Sequence, residues 1–374
     1  MVIERIQVRN FRLYSTAVLP CSSGLNLLWG PNGAGKTTLL EAICVAAWGK
    51  AFDSSDAALL RQGSSHYWVR LDAHADIGVP YWVEVEYAPE QGKRIRSIYK
   101  NTVTPRELVG VIPIVLLTPG LKSITAGAPH ERRRFLDMVL SQCSRPYLEL
   151  LLEHRRTLRQ RNSLLQRHQM EANFSAQWQS WTELFVQMSA QLIWRRWSFI
   201  QEFEPLAQDH HRRIAPAEHI QLRYLPDGVP SGCLERGVED ICSCLQQRAR
   251  EVEAEELRRG MTLFGPQKDE LLVLLNGMVA RETASQGQHK SLLLSLKLAE
   301  LLYIRQHHGE TPVMLLDDVF GELDEMRAQA VVNILEAYGV QTFITATDPY
   351  RLPGDIPQRV HSIRVGTELL VPAS

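Results

Sequence analysis

The segment Gly30-Pro31-Asn32-Gly33-Ala34-Gly35-Lys36-Thr37 restricts this chain more than any other feature it carries. It fits G-x-x-x-x-G-K-[ST] at every fixed position. The residues before it, Leu25-Asn26-Leu27-Leu28-Trp29, form an apolar run typical of a strand buried on both faces. Those after it, from Lys36 to about Trp48, read as a helix. A buried strand, a glycine turn and a helix N-terminus in that order turn backbone N–H groups toward one point, where phosphates can sit without meeting side chains. Lys36 then supplies a mobile charge for the β- and γ-phosphates of ATP, and Thr37 a hydroxyl ligand for Mg²⁺.

Such a loop works with an acidic residue at the end of a neighbouring strand. Val313-Met314-Leu315-Leu316-Asp317-Asp318 provides one. Asp317 would hold the metal, directly or through water, and Asp318 would act as general base toward the attacking water. Between the two segments lies Ser285-Gln286-Gly287-Gln288, at the start of a helix over about 288–307. Alone, the tetrapeptide reads equally well as an anion site or as an ordinary helix cap.

The rest of the chain fits around these segments. Residues 2–8, 66–75, 80–88 and 93–100 alternate as strands do, and the last three suggest an antiparallel meander. Val111–Leu117 reads as a buried strand, and 118–129 as a linker. From 130 to about 213 the pattern is helical, with Pro146 placed to start one long helix. Phe174, Trp178, Trp181, Phe185, Met188 and Leu192 keep heptad spacing there, equally suited to a seam between two long helices or to a plain core stripe. A polar helix over about 233–259 follows. A strand over Thr262–Gly265, a hairpin at Asn276-Gly277 and a last buried strand over Gln341–Ala346 complete the pattern. The expected fold class is α/β: a phosphate-loop sheet domain with an antiparallel meander (1–129 and 260–374), interrupted by a mostly helical insertion (130–259).

Composition excludes several alternatives. With 45% apolar and 22% charged residues, the chain is an ordinary globular one. No 18 apolar residues run together, and the charged Met1-Val2-Ile3-Glu4-Arg5 start does not read as a signal peptide. The six cysteines include no C-x-x-C pair and read as reduced. We therefore expect a cytoplasmic protein with no membrane partner. Its 41 basic and 42 acidic residues nearly cancel, so any nucleic acid must meet a local patch. Residues 130–213 hold 13 Lys or Arg against nine Asp or Glu, a mild excess. Arg132, Arg133, Arg134, Arg155, Arg156, Arg159 and Arg161 cluster more tightly, either to meet phosphates or to pair with nearby carboxylates such as Glu131, Asp137 and Glu153.

The order of phosphate loop, insertion, Ser285-Gln286-Gly287-Gln288, Leu315-Leu316-Asp317-Asp318 and Glu322-Leu323-Asp324 resembles the ABC-type ATPase class. Within it, further stretches resemble the bacterial RecF family. These are Asn10-Phe11-Arg12, Leu40-Glu41-Ala42-Ile43, Arg132-Arg133-Arg134-Phe135-Leu136-Asp137, Gln160-Arg161-Asn162-Ser163-Leu164-Leu165 and Lys297-Leu298-Ala299-Glu300. The resemblance implies that Arg12 and Thr38 also contact the nucleotide. It further implies that Ser285, Gly287 and Gln288 complete the site of a second subunit, so that ATP closes a homodimer, with Asp324 in the loop crossing that interface. It implies binding to single- and double-stranded DNA at gap junctions, with RecR and RecO as partners and RecA loading as the outcome.

The chain departs from the family pattern in places. Gly265-Pro266-Gln267-Lys268-Asp269-Glu270 lacks the family's histidine, Thr118-Pro119-Gly120-Leu121 lacks its acidic residue and a Q-loop glutamine, and Thr345-Ala346-Thr347-Asp348 has no switch histidine. Slow, DNA-stimulated hydrolysis by a clamp is the expectation. The rival reading, a transporter ATPase subunit, has no use for the 130–260 insertion.

Overall fold

The computed structural model describes residues 1–52, 54–118, 120, 123–168, 173–349, 360–366 and 370–372. The chain begins β1 (Val2–Phe11), β2 (Tyr14–Pro20), β3 (Leu25–Trp29), α1 (Lys36–Trp48), α2 (Asp56–Leu59), β4 (Tyr67–His74), β5 (Pro80–Ala88), β6 (Gly92–Ser97), α3 (Pro105–Leu108) and β7 (Ile114–Leu117). There follow α4 (Ser123–Ala126), α5 (Pro129–Cys143), α6 (Arg145–Gln166), α7 (Phe174–Ile214), β8 (Ile220–Leu225), α8 (Ser231–Leu234), α9 (Val238–Arg259), β9 (Glu270–Leu275), β10 (Met278–Val279) and α10 (Ala280–Thr283). Last come α11 (Gln286–His308), β11 (Val313–Leu316), α12 (Glu325–Ala337), β12 (Thr342–Ala346), β13 (His361–Val365) and β14 (Leu370–Pro372). Two compact units divide these elements: Met1–Leu121 with Arg213–Ala215 and Leu293–Ser374, and Lys122–Arg212 with Pro216–Leu292.

The first unit contains two sheets. One is antiparallel, in the order β2-β1-β4-β5-β6. A bulge between Ile3 and Arg5 shifts the alternation of β1, so Ile3, Ile6, Val8 and Phe11 all end up buried. The other sheet runs β14-β13-β3-β12-β11-β7 and is parallel except for β14. Strands β7, β11 and β12 are buried at every residue, and β3 at all but Trp29, as befits parallel strands covered on both faces. Helix α1 is buried at every position but Thr37, so it has no polar face to offer solvent.

The second unit packs helices against a small antiparallel sheet, β10-β9-β8. Of the heptad positions on α7, Trp178, Phe185, Leu192 and Phe199 are buried, while Phe174, Trp181 and Met188 are half-buried. The stripe therefore faces the core along one edge. Arg195 is exposed, and its neighbour Arg196 turns inward. The chain reverses between β9 and β10 at Asn276 (φ 50°) and Gly277 (φ 82°), both left-handed, the tight turn that this dipeptide favours.

Three readings from sequence need correction. Thr262–Gly265 is not a strand, because side chains satisfy its backbone. Asn162 Oδ1 accepts from Thr262 N at 2.8 Å, and Glu256 Oε1 accepts from Leu263 N at 2.7 Å. Strands β2, β8, β13 and β14 were not foreseen. The second unit also runs on to Leu292, past the expected limit at 259, because β9 pairs along the whole of β8.

Arg161 and Glu256 hold this unit together at its centre. Both side chains are fully buried, and two hydrogen bonds of 3.1 and 2.7 Å join them. Arg161 also donates to Thr262 Oγ1 at 2.8 Å and lies 4.1 Å from the centre of the Trp178 ring. Removing one partner strands the other's charge away from water. Glu256→Ala should therefore cost about 3–5 kcal/mol in urea unfolding, and Arg161→Met with Glu256→Leu far less.

Candidate active site

In the first unit the glycine loop leaves β3 and enters α1. Three of its glycines take positive φ: Gly30 at 156°, Gly33 at 81° and Gly35 at 101°. At Gly30 the requirement is also steric, since a Cβ there would stand 2.4 Å from the Val365 carbonyl oxygen on β13. Gly35 caps α1 without any side-chain hydrogen bond, and the first turn holds no acidic residue. The helix N-terminus thus keeps its N–H groups and partial positive charge for an outside anion. Ala34 N donates to Pro31 O at 3.2 Å and closes the loop, while Pro31, Asn32 and Gly33 line its exposed rim. Lys36 Nζ reaches back to Gly30 O at 2.7 Å and Pro31 O at 2.9 Å. Burial pulls the Lys36 ammonium down from its ordinary value, and Asp318 and Asp317 oppose that shift.

The acidic side of the site is built on β11 and β12. Thr37 Oγ1 donates to Asp317 Oδ1 at 2.8 Å, and Thr345 Oγ1 donates to the same oxygen at 2.8 Å. Burial pushes the Asp317 carboxyl above the usual carboxylate range, against the pull of those two hydroxyls. A hydroxyl and a carboxylate in contact are the hard oxygen donors that Mg²⁺ prefers, so Thr37 and Asp317 suit that ion. The next residue, Asp318, is exposed with φ 49°, a conformation L-residues seldom adopt, and its N–H donates to Thr345 Oγ1 at 2.8 Å.

Arg12 and Thr38 lie on the same unit. Thr38 is buried in the first turn of α1. Arg12 follows β1 with φ 48°, and its guanidinium pairs with Glu41, one turn beyond Thr37, at 2.8 Å. A further bond runs to Ser54 Oγ. Lys297 and Glu300 make a buried ion pair of 2.7 Å and so belong to the core.

The second unit carries Ser285, Gly287 and Gln288. Ser285 is exposed, while Gly287 and Gln288 are half-buried at the start of α11. Ser285 N donates to Gln288 Oε1 at 2.8 Å and Gln288 N to Ser285 Oγ at 3.3 Å, a reciprocal cap. Gln288 Nε2 also donates to Glu218 at 3.2 Å, and Glu218 meets the buried His211 at 3.2 Å. Asp324, back in the first unit, is the N-cap of α12 and accepts from Arg327 N at 2.9 Å.

The arginine cluster separates into two groups. Arg132 is buried and pairs with Glu270 at 2.8 Å, and Arg161 is spent on Glu256, so neither is open to a phosphate. Arg134, Arg155, Arg156 and Arg159 are exposed, and Arg133 is half-buried. Arg133, Arg134 and Arg155 line a cavity of about 240 Å³ with His130, Asp137 and the buried Arg196. Burial, with Arg196 close by, pushes His154 in that wall down to about 3, so its ring is neutral at pH 7.

The Thr37–Asp317 hydrogen bond brings the segment Gly30–Thr38 together with Asp317 and Asp318. Pro119 and Leu121, in the segment lacking the acidic residue, lie outside the described residues. Two contributors were missed. Thr345 ties Asp317 to Asp318 from β12, and the Tyr14 hydroxyl donates to Gly35 O at 3.2 Å, with burial raising its pKa. Neither position stands out in sequence, because a threonine or tyrosine on a strand has many ordinary uses. Thr345→Val keeps the shape but strands the Asp318 N–H and one Asp317 lone pair. It should lower stability by about 1–3 kcal/mol, read by chemical unfolding.

The chain is similar to known proteins over most of its length. A family model described as an AAA domain matches residues 5–112. The DNA replication and repair protein RecF of Prosthecochloris aestuarii is 34% identical over 349 residues, covering 93% of this chain and 94% of that one. RecF of Symbiobacterium thermophilum is 35% identical over 382 residues, with 99% and 98% covered. The solved structure of the recombination mediator protein RecF with ATP, in the RecFOR pathway, superposes with a TM-score of 0.91 at 27% identity, covering 100% of this chain and 98% of that one. The Smc head domain of Pyrococcus furiosus shares the fold alone, with a TM-score of 0.59 at 14% identity. The chain belongs to the RecF family.

Proposed function

We propose that this protein is an ATP-dependent DNA-binding protein of recombinational repair and replication, which hydrolyses ATP slowly and is stimulated by DNA. The observation that carries the reading is the bare N-terminus of α1, with Lys36 beside it and Thr37 bonded to Asp317. In this reading Gly30–Gly35 and the N–H groups of Lys36, Thr37 and Thr38 hold the β- and γ-phosphates. Lys36 exchanges its carbonyl partners for phosphate oxygens, and Thr37 and Asp317 hold Mg²⁺. Bound there, the ion would neutralise charge developing on the phosphate oxygens. Asp318 takes the proton from the attacking water, its exposed carboxylate lying beyond the strand on a strained backbone.

The finer functional assignments draw on the relatives. Their name, DNA replication and repair protein, and the RecFOR pathway of the ATP-bound structure support action in DNA repair. Binding at single-strand gaps, with RecR and RecO assisting RecA loading, is the finer role proposed on the family resemblance. Ser285, Gly287 and Gln288 would complete the nucleotide site of a second copy, with Asp324 at the interface. The capped but exposed Ser285 leaves its hydroxyl within reach of such a partner. Arg132 and Arg161 are buried against carboxylates, which leaves the exposed Arg134, Arg155, Arg156 and Arg159 and the half-buried Arg133 for DNA phosphates. Of these, Arg155 also pairs with Asp137 at 3.2 Å and Arg133 donates to Asp269 O at 2.6 Å.

Three variants test the site and the dimer. Lys36→Ala should abolish ATP binding, Asp318→Asn should retain it and lose turnover, and Ser285→Arg should bind ATP as a monomer in light scattering. A Ser285→Arg protein that dimerises normally with ATP would overturn the shared site. For DNA, binding to a labelled gapped duplex should require Mg-ATP and weaken with salt. Arg133→Ala, Arg134→Ala and Arg155→Ala together should reduce the log–log salt slope by up to about 3.

A further inference from the structure

Three of the six cysteines lie within twelve residues of one another in the second unit: Cys233 on α8, and Cys242 and Cys244 on α9. Two of them meet. Cys233 Sγ and Cys244 Sγ are 2.9 Å apart, within about 1 Å of the roughly 2.05 Å of an S–S bond. Cys233 is buried, Cys244 is half-buried, and the guanidinium of Arg236 donates to Cys233 Sγ at 3.3 Å. Arg236 is held in turn by Asp240, one turn along the same segment. Cys242 lies two residues from Cys244, so the helix turns it to the other side, and Gln246 Nε2 is 3.9 Å from its sulfur.

We propose that Cys233 and Cys244 are a redox-modifiable dithiol, closed to a disulfide by peroxide and reopened by dithiol reductants. The contact is built by the fold and is not a chance meeting of flexible tails. α8 starts directly after Pro230, which fixes the direction of the chain, and Leu234 beside Cys233 is buried. Ile241 and Leu245 pin the facing turn of α9, so neither sulfur can swing far away. Cationic charge beside one sulfur of a close pair is the environment in which a cysteine attacks an oxidant. Burial and the contact with Cys233 push the Cys244 thiol up to about 11.

The chemistry balances with hydrogen peroxide as oxidant. The Cys233 sulfur, having given up its proton, attacks one peroxide oxygen, the O–O bond breaks, and Cys233 becomes a sulfenic acid. The hydroxide released takes up that proton and leaves as water. The Cys244 sulfur then attacks the Cys233 sulfur, the S–O bond breaks, and the departing hydroxide carries the Cys244 proton off as a second water. Two thiols and one peroxide thus give one disulfide and two waters, with two electrons passing from sulfur to oxygen. The product ties α8 to α9 across a short loop and reverses by thiol–disulfide exchange.

The test is peptide mapping of the full chain. The protein is treated with hydrogen peroxide, quenched with N-ethylmaleimide under denaturing conditions and digested without reductant. The expected result is a Cys233–Cys244 cross-link that disappears with dithiothreitol, while Cys242 remains alkylated. Cys242→Ser should keep the cross-link, and Cys233→Ser and Cys244→Ser should each abolish it. Should either of the last two fail to fold, the map of the unaltered chain still decides. Full alkylation of both Cys233 and Cys244 after peroxide, or a cross-link to Cys242 in their place, would overturn the proposal.

Discussion

One carboxylate oxygen organises the first unit. Asp317 Oδ1 accepts hydrogen bonds from Thr37 at the start of α1 and from Thr345 at the end of β12, so one atom joins three separate segments of the chain. A buried carboxylate without partners would be strongly disfavoured, and two hydroxyls make this one tolerable. The same hydroxyls fix where it stands. Because Thr345 Oγ1 also receives the Asp318 N–H, the unusual backbone of Asp318 is determined by the group that orients Asp317. The residue suited to hold a metal and the residue suited to take a proton are therefore set by a single side chain.

The second unit shows why charge clusters read poorly from sequence. Arg132 and Arg134 are two residues apart, yet one is sealed against Glu270 and the other is exposed. The partner of Arg132 lies 138 residues away, and that of Arg161 lies 95 residues away. The nearby acids Glu131 and Glu153 take neither of them. The stretches Arg132–Asp137 and Gln160–Leu165, on which the resemblance partly rests, thus contribute buried carboxylate–guanidinium pairs. Asp137 shows the same economy, accepting from Tyr147 at 2.7 Å and Arg196 at 2.8 Å. These groups set the framework on which the remaining cations are displayed.

What was legible in the sequence was whatever obeys a local rule. The phosphate loop demands glycine at fixed positions, because Gly30, Gly33 and Gly35 take positive φ and a Cβ on Gly30 would stand 2.4 Å from a carbonyl oxygen. The Asn276-Gly277 turn and the meander β4–β5–β6 follow from equally local rules. Thr262–Gly265 misled because an apolar-polar run looks like a strand until a distant Asn162 and the nearby Glu256 take its N–H groups. The alternation in Ile220, Leu222 and Tyr224 did mark β8, but the prolines after it dominated the reading. Thr345 left no signal, since its role exists only once β12 lies beside β11.

The position of β3 has a consequence for the timing of assembly on the ribosome. The strand that launches the glycine loop is neighboured in its sheet only by β12 and β13, whose residues begin at Thr342 and His361. A nascent chain therefore makes Gly30–Thr37 early but cannot anchor them until about 300 further residues have been translated. The strand ladders of the antiparallel sheet and of β8–β10 include none of those late strands and can form first. Nucleotide competence thus waits for β12 and β13, and a ribosome that stalls short of β12 releases a chain with a complete motif and no working site.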